Sequence, residues 1–167
     1  IKILGGHIKL KSVVGEGSSF SFQLEFQISP QQESQMEKKP MIKYDSAKLI
    51  NKKILLVEDN KINQMITKKM LDNKGIICEI IDNGEDAIDL MKTNTFDLVL
   101  TDVHLPGING TIATETIRTF DSTTPIIALT AISLHENREM LLSFGMNDVI
   151  TKPFVPEEFY SVIAEYI

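Results

Sequence analysis

From Lys52 to the last residue, short apolar runs alternate five times with amphipathic stretches, and no other feature constrains the fold as tightly. KILLV (53–57) precedes KINQMITKKML (61–71), ICEII (77–81) precedes GEDAIDLM (84–91), and DLVLT (97–101) precedes GTIATETIR (110–118). PIIAL (125–129) then precedes SLHENREMLLSF (133–144), and DVIT (148–151) precedes PEEFYSVIAEYI (156–167). The apolar runs have strand length and strand composition, while the longer segments repeat their apolar residues at helical spacing. Five strand-then-helix units imply an α/β fold: a doubly wound five-stranded parallel sheet with helices on both faces. Helix-end chemistry agrees. Asn60 stands where an N-cap belongs, and Asn73 and Gly75 stand where the first helix should stop. Within that helix Ile62, Met65, Ile66 and Met70 share one face, a spacing that reads as a core stripe.

Upstream of this block the pattern changes. HIKLKSVV (7–14) alternates polar and apolar residues, GEGSS supplies turn chemistry, and FSFQLEFQI (20–28) alternates again, which predicts a β-hairpin. From Ser29 to about Ser46 the chain is rich in Gln, Glu, Lys and Ser, has two prolines and has no apolar period, so it reads as a linker. The expected organisation is a hairpin-bearing segment over 1–29, a linker over 30–51 and one domain over 52–167.

An apolar content of 43% and a charged content of 24% fit a soluble globular protein. No apolar run approaches the roughly 18–20 residues that cross a bilayer, and the N-terminus lacks the layout of a signal peptide. No direct membrane contact is expected of this segment. Because the sequence begins with Ile rather than Met, it reads as a piece of a longer protein whose anchorage upstream is left open. Charge is uneven: residues 1–50 hold 7 Lys against 5 Asp/Glu, and residues 51–167 hold 10 Lys/Arg against 18 Asp/Glu, for nets of +2 and −8. With no basic patch to neutralise phosphates, nucleic-acid binding is not expected, and the acidic part favours cations and basic partners. The one cysteine, Cys78, sits among isoleucines and reads as an inert thiol compatible with a reducing cytoplasm.

Strands of an open parallel sheet present their carboxyl ends at one edge, where ligands bind beside the topological switch point. Glu58 and Asp59 follow the first apolar run, Asp102 the third, Thr130 the fourth and Lys152 the fifth; Asp82, after the second, reads as a separate solvated residue. Taken singly, Asp102 is a turn residue before Pro106 and Gly107, and Glu58–Asp59 is an acidic pair that suits a helix N-terminus. Taken together they crowd three carboxylates into one place, which calls for a cation between them. A hard divalent ion such as Mg²⁺ takes one or two carboxylates plus a phosphate oxygen. With the Lys152 charge and the Thr130 hydroxyl, the set suits phosphoryl transfer.

LLVEDN (55–60), LVLTDVHLPGING (98–110), IIALTA (126–131) and ITKPF (150–154) resemble, in order, the receiver domain of two-component response regulators over 52–167. The resemblance implies the flavodoxin-like receiver fold with strand order 2-1-3-4-5, a cis Lys152–Pro153 bond, and Mg²⁺ held by Glu58, Asp59, Asp102 and the backbone carbonyl of His104. It implies Asp102 as phosphoacceptor, Thr130 as switch hydroxyl and Lys152 as phosphoryl contact. DNKIN (59–63) resembles the segment that opens the first helix in receivers of hybrid sensor histidine kinases. LGGHIKLKSVVGEGSSFSFQL (4–24) resembles the last hairpin of the histidine kinase ATP-binding domain, which makes 1–29 the C-terminal fragment of such a domain. The boxes that bind ATP are not in the sequence, so this chain is expected neither to bind ATP nor to autophosphorylate.

By this resemblance the chain is a cytoplasmic, monomeric phosphoacceptor in a phosphorelay. It catalyses only its own phosphorylation and dephosphorylation, and its partners are a phosphohistidine-bearing kinase domain or a histidine phosphotransfer protein. Two departures stand out. Val149 occupies a position where many receivers carry the aromatic residue of the switch, and His104, two residues after Asp102, reaches the mouth of the pocket. His7 and His135 have no partner cluster. Three competing readings remain. A Mg²⁺-dependent aspartyl phosphatase would want a second acid two residues after the nucleophile, where His104 stands; a flavodoxin-like cofactor protein would want a Ser/Thr/Gly loop where VEDNKIN stands. A pseudo-receiver that only docks partners would be expected to have lost acceptor or metal residues.

Overall fold

The computed structural model describes residues 5–15, 17–24, 44–131 and 134–167; most of the expected linker, the end of the second hairpin run and Ser133 lie outside the described residues. The chain divides into two compact units, Ile1–Pro40 and Met41–Ile167.

In the first unit, β1 (His7–Val13) pairs antiparallel with β2 (Gly17–Gln23), from His7↔Gln23 to Val13↔Gly17. This is the predicted hairpin, with its second strand beginning earlier than the alternation suggested. The register sets Ile8 opposite Phe22 and Leu10 opposite Phe20, so four exposed apolar side chains share one face.

The second unit opens with a short 3-10 turn, Ser46–Leu49, capped by the Asp45 side chain. Ten elements follow: β3 (Lys53–Val57), α1 (Lys61–Asp72), β4 (Ile77–Ile81), α2 (Gly84–Thr93), β5 (Leu98–Asp102), α3 (Gly110–Arg118), β6 (Ile126–Thr130), α4 (Leu134–Ser143), β7 (Asp148–Thr151) and α5 (Pro156–Tyr166). The sheet is wholly parallel in order β4-β3-β5-β6-β7, which is the expected 2-1-3-4-5. Its central strands are buried on both faces, as a sheet covered by helices on both sides requires.

Strand periodicity divides the core in two. Leu55, Val57, Val99 and Ala128 face Ala87, Ile88 and Met91 of α2, Ala113 and Ile117 of α3 and Leu141 of α4. Ile54, Leu56, Leu98, Leu100, Ile127 and Leu129 face Leu71 of α1 and Phe159, Tyr160 and Ile163 of α5. Each fully buried Leu or Ile contributes roughly 1.5–3 kcal/mol relative to an exposed one. Leu49, from the stretch read as linker, joins the second cluster fully buried, and Tyr44 stacks on Tyr160 with ring centroids 5.8 Å apart.

The first helix corrects one expectation. Its buried side chains are Gln64, Thr67 and Leu71, whereas Ile62, Met65 and Ile66 are 64%, 67% and 48% exposed. The helix is amphipathic, but of the four residues assigned to the core stripe only half-buried Met70 packs against the core, and the other three point outward. Gln64 donates through Nε2 to the Glu58 carbonyl at 2.5 Å and turns the 64/67/71 face inward. The helix ends are as expected: the Asn60 side chain accepts from the Ile62 and Asn63 N–H groups, and Gly75 takes φ +71° just past Asn73.

Candidate functional site

Where the strands end, the sheet gathers the residues singled out in the sequence. β5 terminates on Asp102 itself, β6 on buried Thr130, and β3 runs directly into Glu58 and Asp59. Lys152 follows β7, its N–H donating to the Thr130 carbonyl at 2.7 Å, and the Lys152–Pro153 bond is cis. Asp82, after β4, lies apart, exposed and paired with Lys61 at 3.4 Å.

Lys152 joins the two principal carboxylates. Its Nζ lies 2.5 Å from Glu58 Oε2 and 2.6 Å from Asp102 Oδ2. Burial works against the ammonium charge, but hydrogen bonds to Asp102 and Glu58 outweigh it and hold the Lys152 pKa above its ordinary value. The other Asp102 oxygen, Oδ1, accepts from the His104 N–H at 2.9 Å, so the residue two beyond Asp102 touches it through backbone while its side chain is exposed.

The three acids differ in freedom. Glu58 is completely buried, Asp102 is half-buried and Asp59 is exposed, yet one oxygen from each lies within 4.8 Å of the others. Hard oxygen donors at this separation, open on the Asp59 side, fit a Mg²⁺ ion that keeps several waters.

Several contacts at this site were not legible in the sequence. Glu58 Oε1 accepts from the Asn63 side-chain amide at 3.0 Å and from the Asn60 N–H at 3.3 Å, so the first turn of α1 grips the buried acid. Glu85, at the start of α2, accepts from the Ile108 N–H at 3.1 Å and braces the loop after Asp102. Gly110 opens α3 so close to that loop that a Cβ there would sit 2.1 Å from the Asp102 carbonyl oxygen; only glycine fits without moving the acid. The DNKIN, GEDAIDLM and GING spellings hold Asn60, Asn63, Glu85 and Gly110, but nothing local in them says what each residue touches.

Val149 is buried in the core cluster that includes Leu141 of α4. Cys78 is half-buried, and burial pushes its thiol up to about 11, in keeping with an inert thiol. His7 lies on the exposed hairpin, and the His135 side chain is outside the described residues. Among the described residues no helix is long and apolar enough to cross a membrane.

Residues 54–164 match the family model of the response regulator receiver domain. The transcription factor SKN7 of Saccharomyces cerevisiae is 34% identical over 114 residues, covering 68% of this chain and 18% of that protein. The sensor histidine kinase GacS of Pseudomonas protegens is 34% identical over 119 residues, covering 68% of this chain and 13% of that one. The chain thus spans less than a fifth of either relative's length. Among solved structures, the receiver domain of the sensor histidine kinase PA1611 from Pseudomonas aeruginosa, with a magnesium ion coordinated in its active site cleft, superposes with a TM-score of 0.65 at 36% identity, covering 70% of this chain and 97% of that one. The co-crystal of the Saccharomyces cerevisiae phosphotransfer protein Ypd1 with the receiver domain of Ssk1 gives a TM-score of 0.65 at 29% identity, covering 70% and 89%. Sheet order, strand-end acids and these matches agree, and the chain belongs to the response regulator receiver domain family.

Proposed function

We propose that Asp102 is the phosphoacceptor of a phosphorelay and that it takes its phosphoryl group from a phosphohistidine. The observation that carries this is the Lys152 ammonium shared between Asp102 and Glu58 at the sheet edge, with Asp59 beside them. An Asp102 carboxylate oxygen attacks phosphorus, the P–N bond breaks, and its electron pair stays on the departing imidazole. Glu58, Asp59, Asp102 and the His104 carbonyl are the groups that would hold Mg²⁺, which when bound offsets charge on the transferring oxygens. Lys152 supplies a fixed positive charge on the other side, and the Asp102 oxygens are already oriented by Lys152 and the His104 N–H. Positioning and electrostatics supply the rate, since side chains do little covalent chemistry in phosphoryl transfer.

Thr130 is the hydroxyl that responds to the acyl phosphate and biases a two-state equilibrium. With aliphatic Val149 packed in the core, that response runs without the aromatic partner of many receivers. His104, exposed beside the acceptor, governs how water reaches the acyl phosphate; equal dephosphorylation rates in wild type and His104→Ala would refute this.

The exposed Ile62, Met65 and Ile66 stripe begins three residues after Asp59 and supplies an apolar face for the phosphohistidine-bearing partner. The pairing of Ypd1 with a similar receiver supports a histidine phosphotransfer protein as one such partner. The β1–β2 hairpin, with its apolar face, supports reading the first segment as the end of a histidine kinase ATP-binding domain, and the whole as part of a hybrid kinase.

Intact mass after incubation with acetyl phosphate and Mg²⁺ tests the reading. A phosphoryl adduct is expected on the wild type, absent without Mg²⁺ and absent in Asp102→Asn. A folded wild type that gains no adduct under any condition would sink it and leave a docking module.

A further inference from the structure

We infer that Asn63 is a positioning residue for the metal-binding acids, acting through Glu58. The inference rests on the Mg²⁺-dependent phosphoacceptor reading above. Glu58 is completely buried, and both of its oxygens are already engaged. Oε2 accepts from Lys152, while Oε1 accepts from the Asn63 Nδ2 at 3.0 Å and, more distantly, from the Asn60 N–H at 3.3 Å. The Glu58 carbonyl is pinned as well, by Gln64 Nε2. Helix α1 therefore clamps this one acid by side chain and backbone and leaves the neighbouring Asp59 exposed.

The clamp divides the labour among three crowded carboxylates. With Oε1 held toward α1, Glu58 presents Oε2 to Lys152, and that ammonium remains shared with Asp102. Without the Asn63 amide, a buried oxygen keeps, among the described residues, only the long Asn60 contact. The carboxylate is then free to turn, to draw Lys152 away from Asp102 and to disorder the acid set. Outer-shell partners of this kind shift metal affinity by about 10–100-fold when removed.

A purely helical role for Asn63 makes a different prediction. The N-cap of α1 is Asn60, whose side chain already accepts from the Ile62 and Asn63 N–H groups, so the Asn63 side chain is not part of the cap. Alanine is the better helix former, and Asn63→Ala leaves the helix itself unharmed.

The test is calorimetric titration of MgCl₂ into wild type, Asn63→Ala and Asn63→Gln, with no phosphodonor present. Asn63→Ala is expected to bind Mg²⁺ about tenfold more weakly, and Asn63→Gln, which keeps an amide donor, to stay within about threefold of wild type. Alanine binding as tightly as wild type, or glutamine as weak as alanine, would overturn the positioning role and leave the phosphoacceptor reading intact. A wild type that binds no Mg²⁺ would overturn both.

Discussion

Lys152→Met removes one charge and keeps most of the apolar stem, which makes it a sharp probe of the site. In the wild type that ammonium lies 2.5 Å from a completely buried Glu58 oxygen and 2.6 Å from an Asp102 oxygen, with Lys152 and Asp102 side chains 16% and 14% exposed. Removing one partner of a buried ion pair costs about 3–5 kcal/mol, because the remaining charge is left uncompensated. The residual solvent access at Lys152 places this case near the lower end, about 3 kcal/mol. Unfolding entropy of about 2.1 cal/mol/K per residue over a domain of about 120 residues converts that into a fall in Tm of roughly 12 °C. Mg²⁺ should then behave differently in the two proteins. In the wild type it joins carboxylates that Lys152 already neutralises, whereas in Lys152→Met it meets two uncompensated ones. Excess Mg²⁺ is therefore expected to raise the Tm of the variant by more than that of the wild type, and saturation to one hundred times Kd supplies about 2.7 kcal/mol. Thermal melts followed by circular dichroism, in chelator and in excess Mg²⁺, give all four values. A metal-free Lys152→Met that melts with the wild type, or equal Mg²⁺ shifts in both, would refute the account of Lys152 as the counter-ion of the acid pair.

Three further outcomes are expected. Leu49→Ala, in the turn ahead of β3, should destabilise by about 2–5 kcal/mol because Leu49 is fully buried, while exposed Lys48→Ala should fall within about 0.5 kcal/mol of wild type; denaturant unfolding of both checks whether this turn belongs to the domain. Thr67 is buried in α1, and among the described residues its hydroxyl has no hydrogen-bond partner, so Thr67→Val should raise stability by about 1 kcal/mol and Tm by roughly 4 °C; an unchanged or lower Tm would show that the hydroxyl is satisfied. The Lys53 N–H, at 2.8 Å, together with Lys52 holds the Asp97 carboxyl below its ordinary pKa despite partial burial. A depressed carboxyl stabilises the fold above its unfolded pKa of about 4, and that contribution is lost as pH falls through the folded value. The stability gap between wild type and Asp97→Asn should accordingly be full at neutral pH, begin to narrow near about pH 4 and close only as pH falls through the lower folded value; a gap independent of pH in urea melts would contradict the assignment.

Much of this architecture could be read locally. Strand and helix periods are properties of short windows, so the five βα units, the helix start at Asn60 and the stop near Gly75 followed from spelling alone. The edge at which Asp102, Thr130 and Lys152 meet followed too, because every strand of a parallel sheet ends on the same side. Amphipathicity, by contrast, names a stripe without saying what covers it. In α1 the apolar residues at 62, 65 and 66 form a genuine stripe, yet Gln64 turns a different face to the sheet through its bond to the Glu58 carbonyl. Leu49 lies in the stretch assigned to the linker and still reaches the core, since burial there depends on where α5 passes. Lys152 meets Glu58 and Asp102 across 94 and 50 positions of sequence, and the Asn63 amide meets Glu58 only once α1 has packed beside β3. Residue type and spacing decide which side chains reach the edge of the sheet; the register of crossovers and the rotation of each helix, set by packing, decide which of them touch.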